Sequence, residues 1–284
     1  MTDFNILYPD KRHTGETVLR QAQLVMLRML CIIDHICKEH GLKYWLCSGT
    51  LLGAFRHKGF IPWDDDLDIC MLREDYEKFI AIAQKELPDD IFVQTRETDK
   101  LYDYLPLPCK VRDKKSLILS EGFENKKYNM GIFVDIFPAD RYHADAQTLK
   151  KEKRLKTLFF LLSKGADLEL SRNKSFFRRL LGYTSPIFKQ LLSLLLKRTQ
   201  IISEENKQLG ENCLIGPGLD TPWRRYFKPD EIFPIKEIEF EGLLFMCPNN
   251  PESYLTQVFG PDYMTPPPIE EQVAKHAMRL KPIL

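Results

Sequence analysis

From Thr17 to His40 the apolar residues Val18, Ala22, Val25, Met26, Met29, Ile32, Ile33 and Ile36 recur at the spacing of one buried helix face. Gly41 follows as the left-handed stop. Leu42–Cys47 reads as a short strand, Ser48-Gly49-Thr50 as a tight turn, and Leu51–His57 as a short helix broken by Lys58-Gly59. Phe60–Asp65 contains Pro62 and reads as a loop; Asp66–Met71 reads as a strand. Tyr76–Leu87 is a second amphipathic helix closed by Pro88. Leu107–Arg112 and Gly131–Phe137 are further strands, and the apolar run GIFVDIF predicts a central place in a sheet for the second.

The stretch from Ala144 to about residue 209 has a helical and basic pattern. Loop and strand character then returns, with Glu241-Gly242 as a hairpin turn and Asn250–Phe259 as a short helix ahead of the prolines near Tyr263–Pro268. No internal repeat or low-complexity linker interrupts the chain. The order of elements implies an α/β (α+β) fold: a mixed sheet flanked by helices, with a basic helical insertion.

Composition sharpens this picture in two places. Seven cysteines, odd in number and without C-x-x-C spacing, sit mostly in apolar runs, which argues for core thiols in a reducing compartment. The N-terminal residues lack the order of a signal peptide, and no apolar stretch reaches a membrane span of about 18 residues, so the expected location is cytoplasmic. Net charge is only +1, yet residues 150–200 hold 13 basic and 3 acidic side chains. The remainder is therefore acidic, and that asymmetry needs a reason.

Asp66 and Asp68, two apart on the predicted strand, should point to one face and repel each other unless a cation lies between them. Leu67 and Ile69 would anchor the strand from its other face. An isolated D-x-D is as well explained by a solvated edge strand. Its context adds weight: Ser48-Gly49-Thr50 stands at a strand-to-helix junction, where backbone N–H groups can cradle phosphate. Asp135 interrupts GIFVDIF, and a carboxylate there is costly to bury without a partner or a metal. Three carboxylates and a phosphate-cradling turn are the parts of metal-assisted phosphoryl transfer, with Asp135 able to take the acceptor's proton.

The run YWLCSGTLLGAFRHKGFIPWDDDLDI resembles the signature of the LicD/fukutin family within the nucleotidyltransferase superfamily. GIFVDIFPAD resembles a later block of that family, and FEGLLFMCP with PESYLTQVFGPDY its closing block. The resemblance implies a nucleotidyltransferase-like catalytic core over 1–143, a basic helical subdomain over 144–210, and a segment over 211–284 that returns to the core. It further implies transfer of phosphocholine or an alditol phosphate, such as ribitol phosphate, from a CDP-linked donor to a sugar hydroxyl of a glycan. CMP would leave, and Mg2+ or Mn2+ is the expected cofactor. The zinc-binding cysteine cluster of some family members is not evident in this chain. The same carboxylates would serve nucleotidyl transfer from an NTP, and a non-catalytic accessory role is the remaining alternative.

Around this centre, Asp64 is an open choice between metal ligand and loop acid, whereas Asp65 reads as a solvated acid. Arg56 and His57 end the post-turn helix, where each can serve a donor phosphate or the helix dipole. Lys110 and Arg112, two apart on a strand, either neutralise a diphosphate or pair with the acids. Trp63 reads as a packing anchor; Trp223, Tyr226 and Phe227 read as core rather than as a cage for a quaternary ammonium. In the basic segment, Phe159–Leu162, Phe176-Phe177 and Leu191–Leu196 alternate with Arg172, Lys174, Arg178, Arg179, Lys189, Lys197 and Arg198. That pattern suits either an anionic membrane surface, near a lipid-carried acceptor, or a solvated helical face. No nucleic-acid reading motif accompanies the charge.

Overall fold

A single turn, α1 (Phe4–Leu7), precedes the long helix α2 (Val18–Glu39). The Thr17 hydroxyl caps α2 by accepting the Arg20 N–H at 3.1 Å, and Gly41 ends it at φ +66°, as the sequence predicts. Every apolar position of the predicted stripe beyond Val18 is buried. These coordinates are a computed structural model that describes residues 3–102, 109–119, 126–166, 185–210, 212–221, 223–274 and 277–283. Two compact units divide the chain, one from residues 1–103, 108–137 and 230–284, the other from 104–107 and 138–229.

In the first unit follow β1 (Trp45–Leu46), α3 (Ser48–His57), β2 (Asp68–Leu72), α4 (Arg73–Glu86), β3 (Ile91–Gln94), β4 (Lys110–Asp113), β5 (Leu117–Leu119) and β6 (Phe133–His143). The mixed sheet runs β1-β2-β6-β4-β3, so the GIFVDIF strand is central as expected, with Val134 and Ile136 fully buried. Antiparallel pairing sets Trp45 opposite Cys70, Lys110 opposite Asp135, and Val93 opposite Val111. Several predicted boundaries move, two of them beside the aspartates. Regular pairing starts at Asp68, leaving Asp66 in the extended segment ahead of it, and the expected turn at Ser48–Thr50 is already the first turn of α3. Leu107 and Pro108 of the expected strand lie outside the described residues.

In the second unit the C-terminal half of β6 continues beside α5 (Ala146–Ala166), α6 (Ser185–Asn206) and β7 (Cys213–Pro217), which pairs with it from Ala139 to His143. The two helices pack through Phe159, Leu192 and Leu195. Arg172, Lys174, Phe176, Phe177, Arg178 and Arg179 lie outside the described residues. Among the described residues, no helix is long and apolar enough to cross a membrane.

The first unit is completed by α7 (Pro229–Ile232), β8 (Lys236–Phe240), β9 (Leu243–Cys247), α8 (Pro251–Phe259) and β10 (Arg279–Lys281). Glu241 and Gly242 make the predicted two-residue hairpin turn at φ +55° and +75°, the handedness that matches strand twist. The Glu241 carboxylate takes Arg20 at 2.6 Å and the Phe60 N–H at 3.1 Å, which pins the hairpin to the loop after α3. Buried Arg12 joins Asp113 at 2.7 Å to the Pro282 carbonyl at 2.6 Å, tying β10 and β5 to the end of β4.

Candidate active site

The site begins with two glycines one turn apart on α3. A Cβ on Gly53 would stand 2.6 Å from the Gly59 carbonyl oxygen and 3.2 Å from the Ile61 nitrogen; one on Gly49 would stand 3.0 Å from Asp64 Oδ2. The chain after α3 thus doubles back along the helix through a channel that only small residues leave open, and delivers the Asp64 carboxylate to the helix N-terminus. Buried Gln23 on α2 holds this returning segment, donating to the Asp64 carbonyl at 3.0 Å. At the N-terminus itself Ser48 adopts φ +49°, an uncommon conformation for a residue with a side chain. Cys47 provides no side-chain cap to the first turn of α3. Tyr254, buried on α8, meets the same turn: burial pushes its hydroxyl far up, Cys47 and Cys70 push it the same way, and the Ser48 N–H pulls it back.

Thr50 links this turn to the acidic strand, its hydroxyl accepting the Asp68 N–H at 2.8 Å. Pairing extends one residue ahead of β2, because the Asp135 N–H donates to the Leu67 carbonyl at 2.9 Å. Leu67 and Ile69 are fully buried and fix the strand from behind, as expected. Burial raises the Asp68 carboxyl far above the ordinary range, and the neighbouring Asp66 and Asp135 charges raise it further; Lys110 opposes them. Lys110 itself is buried, bonded through Nζ to Asp135 Oδ1, and lies 3.4 Å from the Phe133 ring centroid. Burial draws its ammonium down, against the pull of Asp135. Lys110 thus lies among the Asp68, Asp66 and Asp135 carboxylates, with the Cys70 thiol close to Asp68. Oxygen-rich surroundings of this kind suit a hard divalent cation, for which Asp64, Asp66, Asp68 and Asp135 are the candidate holders, although among the described residues the group of three such side chains whose ligand atoms lie within 4.8 Å of one another is Glu39, His40 and Glu86.

The other predicted residues are placed differently. Arg112 is buried, donates to Gln94 and to the Gly131 carbonyl at 2.5 Å each, and stacks 5.0 Å from the Phe133 ring centroid. Arg56 donates to the Tyr263 carbonyl at 2.8 Å, and His57 packs edge-on to Trp63. They stand ~12 and ~13.5 Å along α3 from Ser48, at about 1.5 Å per residue. Asp65, expected to be solvated, is buried and accepts the Ala277 N–H at 2.7 Å; the ordering of the C-terminal segment against the loop makes it a structural anchor. Phe227 is core as expected, whereas Trp223, also expected to be core, is exposed, and Lys153 sits over the Tyr226 ring at 4.7 Å. None of the seven cysteines forms a disulfide, and burial pushes Cys47 and Cys109 far up, so neither supplies a thiolate. Elsewhere Glu39, His40 and Glu86 cluster at exposed helix ends, where the His40–Glu86 contact at 3.0 Å accounts for them.

Gln23, Tyr254 and the Asp65–Ala277 contact were not legible as parts of the site. The G-x-x-x-G spacing of Gly49 and Gly53 is the one sequence signal that pointed to the close return of the loop.

The segment 41–157, which contains the turn, the returning loop and all four aspartates, matches the family described as LicD/FKTN/FKRP, nucleotidyltransferase domain. Over 268 residues the chain is 33% identical to the lipopolysaccharide cholinephosphotransferase LicD of Haemophilus influenzae, covering 91% of this chain and 96% of that one. The chain belongs to the LicD family. Shorter matches reach two further members, the ribitol 5-phosphate transferase FKRP of Homo sapiens and the ribitol-5-phosphate transferase FKTN of Mus musculus. The first is 54% identical over 40 residues, 14% of this chain and 8% of that protein. The second is 41% identical over 49 residues, 17% of this chain and 11% of that protein. These relatives support a phosphotransferase role for this LicD-family chain.

Proposed function

We propose that this LicD-family protein transfers phosphocholine from a CDP-linked donor to a sugar hydroxyl of a cell-surface glycan or its precursor, releasing CMP. The observation that carries the choice is coverage: the match spans nearly the whole of a cholinephosphotransferase, but only short segments of the ribitol phosphate transferases. An alditol phosphate is the alternative cargo. In the reaction the acceptor oxygen attacks the phosphorus that bears choline, the bond from that phosphorus to the bridging oxygen breaks, and CMP departs with that oxygen. The acceptor's proton passes to a carboxylate, a role we assign to Asp135, which Lys110 orients.

Ser48, Gly49 and Thr50, at the positive end of α3, are assigned to donor phosphate, through the N–H groups of Gly49 and Thr50. Lys110 and Arg112, held by protein partners, lend positive charge through the sheet, and Arg56 and His57 are assigned to the distal part of the donor. Mg2+ or Mn2+ held by Asp66, Asp68, Asp64 and Asp135 would neutralise charge on the donor phosphates. The donor-set chemistry and the raised Asp68 carboxyl support that assignment.

Incubation of the purified protein with CDP-choline, CDP-ribitol and NTPs, each with candidate glycan acceptors, tests the reading. CMP release from CDP-choline, abolished by EDTA and restored by Mg2+ or Mn2+, is the expected result. Pyrophosphate release from an NTP, with no CMP from either CDP compound, would replace it with nucleotidyl transfer.

A further inference from the structure

We propose that the outer face of the α5–α6 pair docks on an anionic lipid bilayer. The inner face of the pair is satisfied by Phe159, Leu192 and Leu195. On the opposite side of α6, Ile187, Leu191, Leu194 and Ile201 recur at heptad spacing and are 60%, 46%, 60% and 60% exposed. On α5, Leu158 and Leu161 are 46% and 58% exposed. Single exposed leucines are ordinary, but a sustained stripe along a 22-residue helix, with further leucines on its neighbour, is an interaction surface.

Charge decides the occupant. Arg154 stands one turn before Leu158 on α5, and Lys197 and Arg198 stand one turn beyond Leu194 on α6; all three are exposed. The acids on these helices lie away from the central turns: Glu152 is buried against His143 and Asn206, and Glu204 and Glu205 stand exposed in the last turn of α6, beyond Ile201, with Glu204 paired to Lys207 at 2.6 Å. Between Ile187 and Ile201 α6 carries cations and no acid, so this stretch of the stripe favours an anionic surface. A bilayer with anionic headgroups takes the leucines into its interface and the arginines and lysine among its phosphates. Neither helix is apolar enough to cross it, so the pair lies on the surface.

Sedimentation of the full-length protein with phosphatidylcholine vesicles, with and without phosphatidylglycerol, tests this without any reference to catalysis. Binding should require phosphatidylglycerol and weaken ~tenfold or more when salt shortens the Debye length. Arg154→Ala with Arg198→Ala should weaken it ~25-fold, about fivefold for each cation lost at the surface. Leu191→Glu with Leu194→Glu should weaken it at least ~tenfold while circular dichroism stays unchanged. Absence of binding, equal binding to both vesicle types, or binding that survives both double variants would overturn the proposal. So would a dimer that Leu194→Glu dissociates, in a protein that ignores the vesicles.

Discussion

The molecule buries a lysine and an aspartate in each of its two units, and the two pairs differ in what surrounds them. In the helical unit Lys156 is fully buried, and its ammonium donates to the Pro217 and Gly218 carbonyls at 2.7 and 2.6 Å. Asp140, 2% exposed, accepts from the Ser203 hydroxyl and the Leu219 N–H, both at 2.6 Å. There both side chains hydrogen-bond to backbone and hydroxyl groups, and the result is a fastened fold. In the sheet unit Lys110 has Asp135 as its partner, and Asp68 and Asp66 crowd the same pair. Here burial raises Asp68, and the carboxylates stand close enough to repel one another and raise it further. The first arrangement fastens the fold; the second is the crowded set on which the proposed cation site rests.

That contrast is sharpest under substitution. Asp68→Asn should lower turnover by about a thousandfold, ~4 kcal/mol of barrier, while leaving the melting temperature unchanged or higher because repulsion with Asp66 and Asp135 is relieved. A large loss of stability in this variant, measured by thermal unfolding, would erase the distinction. Lys156→Met should do the reverse. The Pro217 and Gly218 carbonyls lose their charged donor and keep Tyr142 and Thr221, at a cost of ~2 kcal/mol in unfolding free energy, with turnover per folded molecule retained.

Gly49→Ala probes the narrow channel between α3 and the returning loop. Its Cβ would displace Asp64, and kcat/KM should fall about tenfold, ~1.4 kcal/mol, with a smaller effect on stability. The smallest effect is the acid limb of stability. Burial raises Asp10 and Asp90, but Arg12 outweighs it at Asp10, and Arg28 with Lys115 at Asp90, so both folded carboxyls titrate below 3.8. Their contribution is complete above that value and is lost as pH falls through the lowered folded values. Melting temperature should therefore decline as pH drops below about 4, and Arg28→Ala should flatten that decline.

How much of this was legible in the chain depended on whether the signal was local. The stripe of α2, the Glu241-Gly242 turn and the central GIFVDIF strand are set by periodicity and turn chemistry, and each stands where those rules put it. The strand expected from Asp66 starts at Asp68, because pairing with β1 and β6, not the alternation of side chains, sets where regular structure begins. Short strands such as β3, β5 and β7 escaped notice, since three to five residues carry little periodicity and gain their form from distant partners. Asp65 was misread for the same reason: an acid looks solvated until a segment 212 residues away supplies an N–H. The aspartates and the Ser48-Gly49 turn were readable as candidates, whereas Gln23, Thr50 as the link to Asp68, and Tyr254 required the fold that brings them there.

The central claim is that the crowded carboxylates form a catalytic centre for transfer from a CDP-linked donor. Its most direct test is CMP release from CDP-choline by the wild-type protein and by Asp68→Asn, at matched folded fraction with Mg2+ or Mn2+ and an acceptor glycan. The account predicts release by the wild type, its loss with EDTA, and a fall of about a thousandfold in the variant. Equal release by a folded Asp68→Asn protein would contradict it.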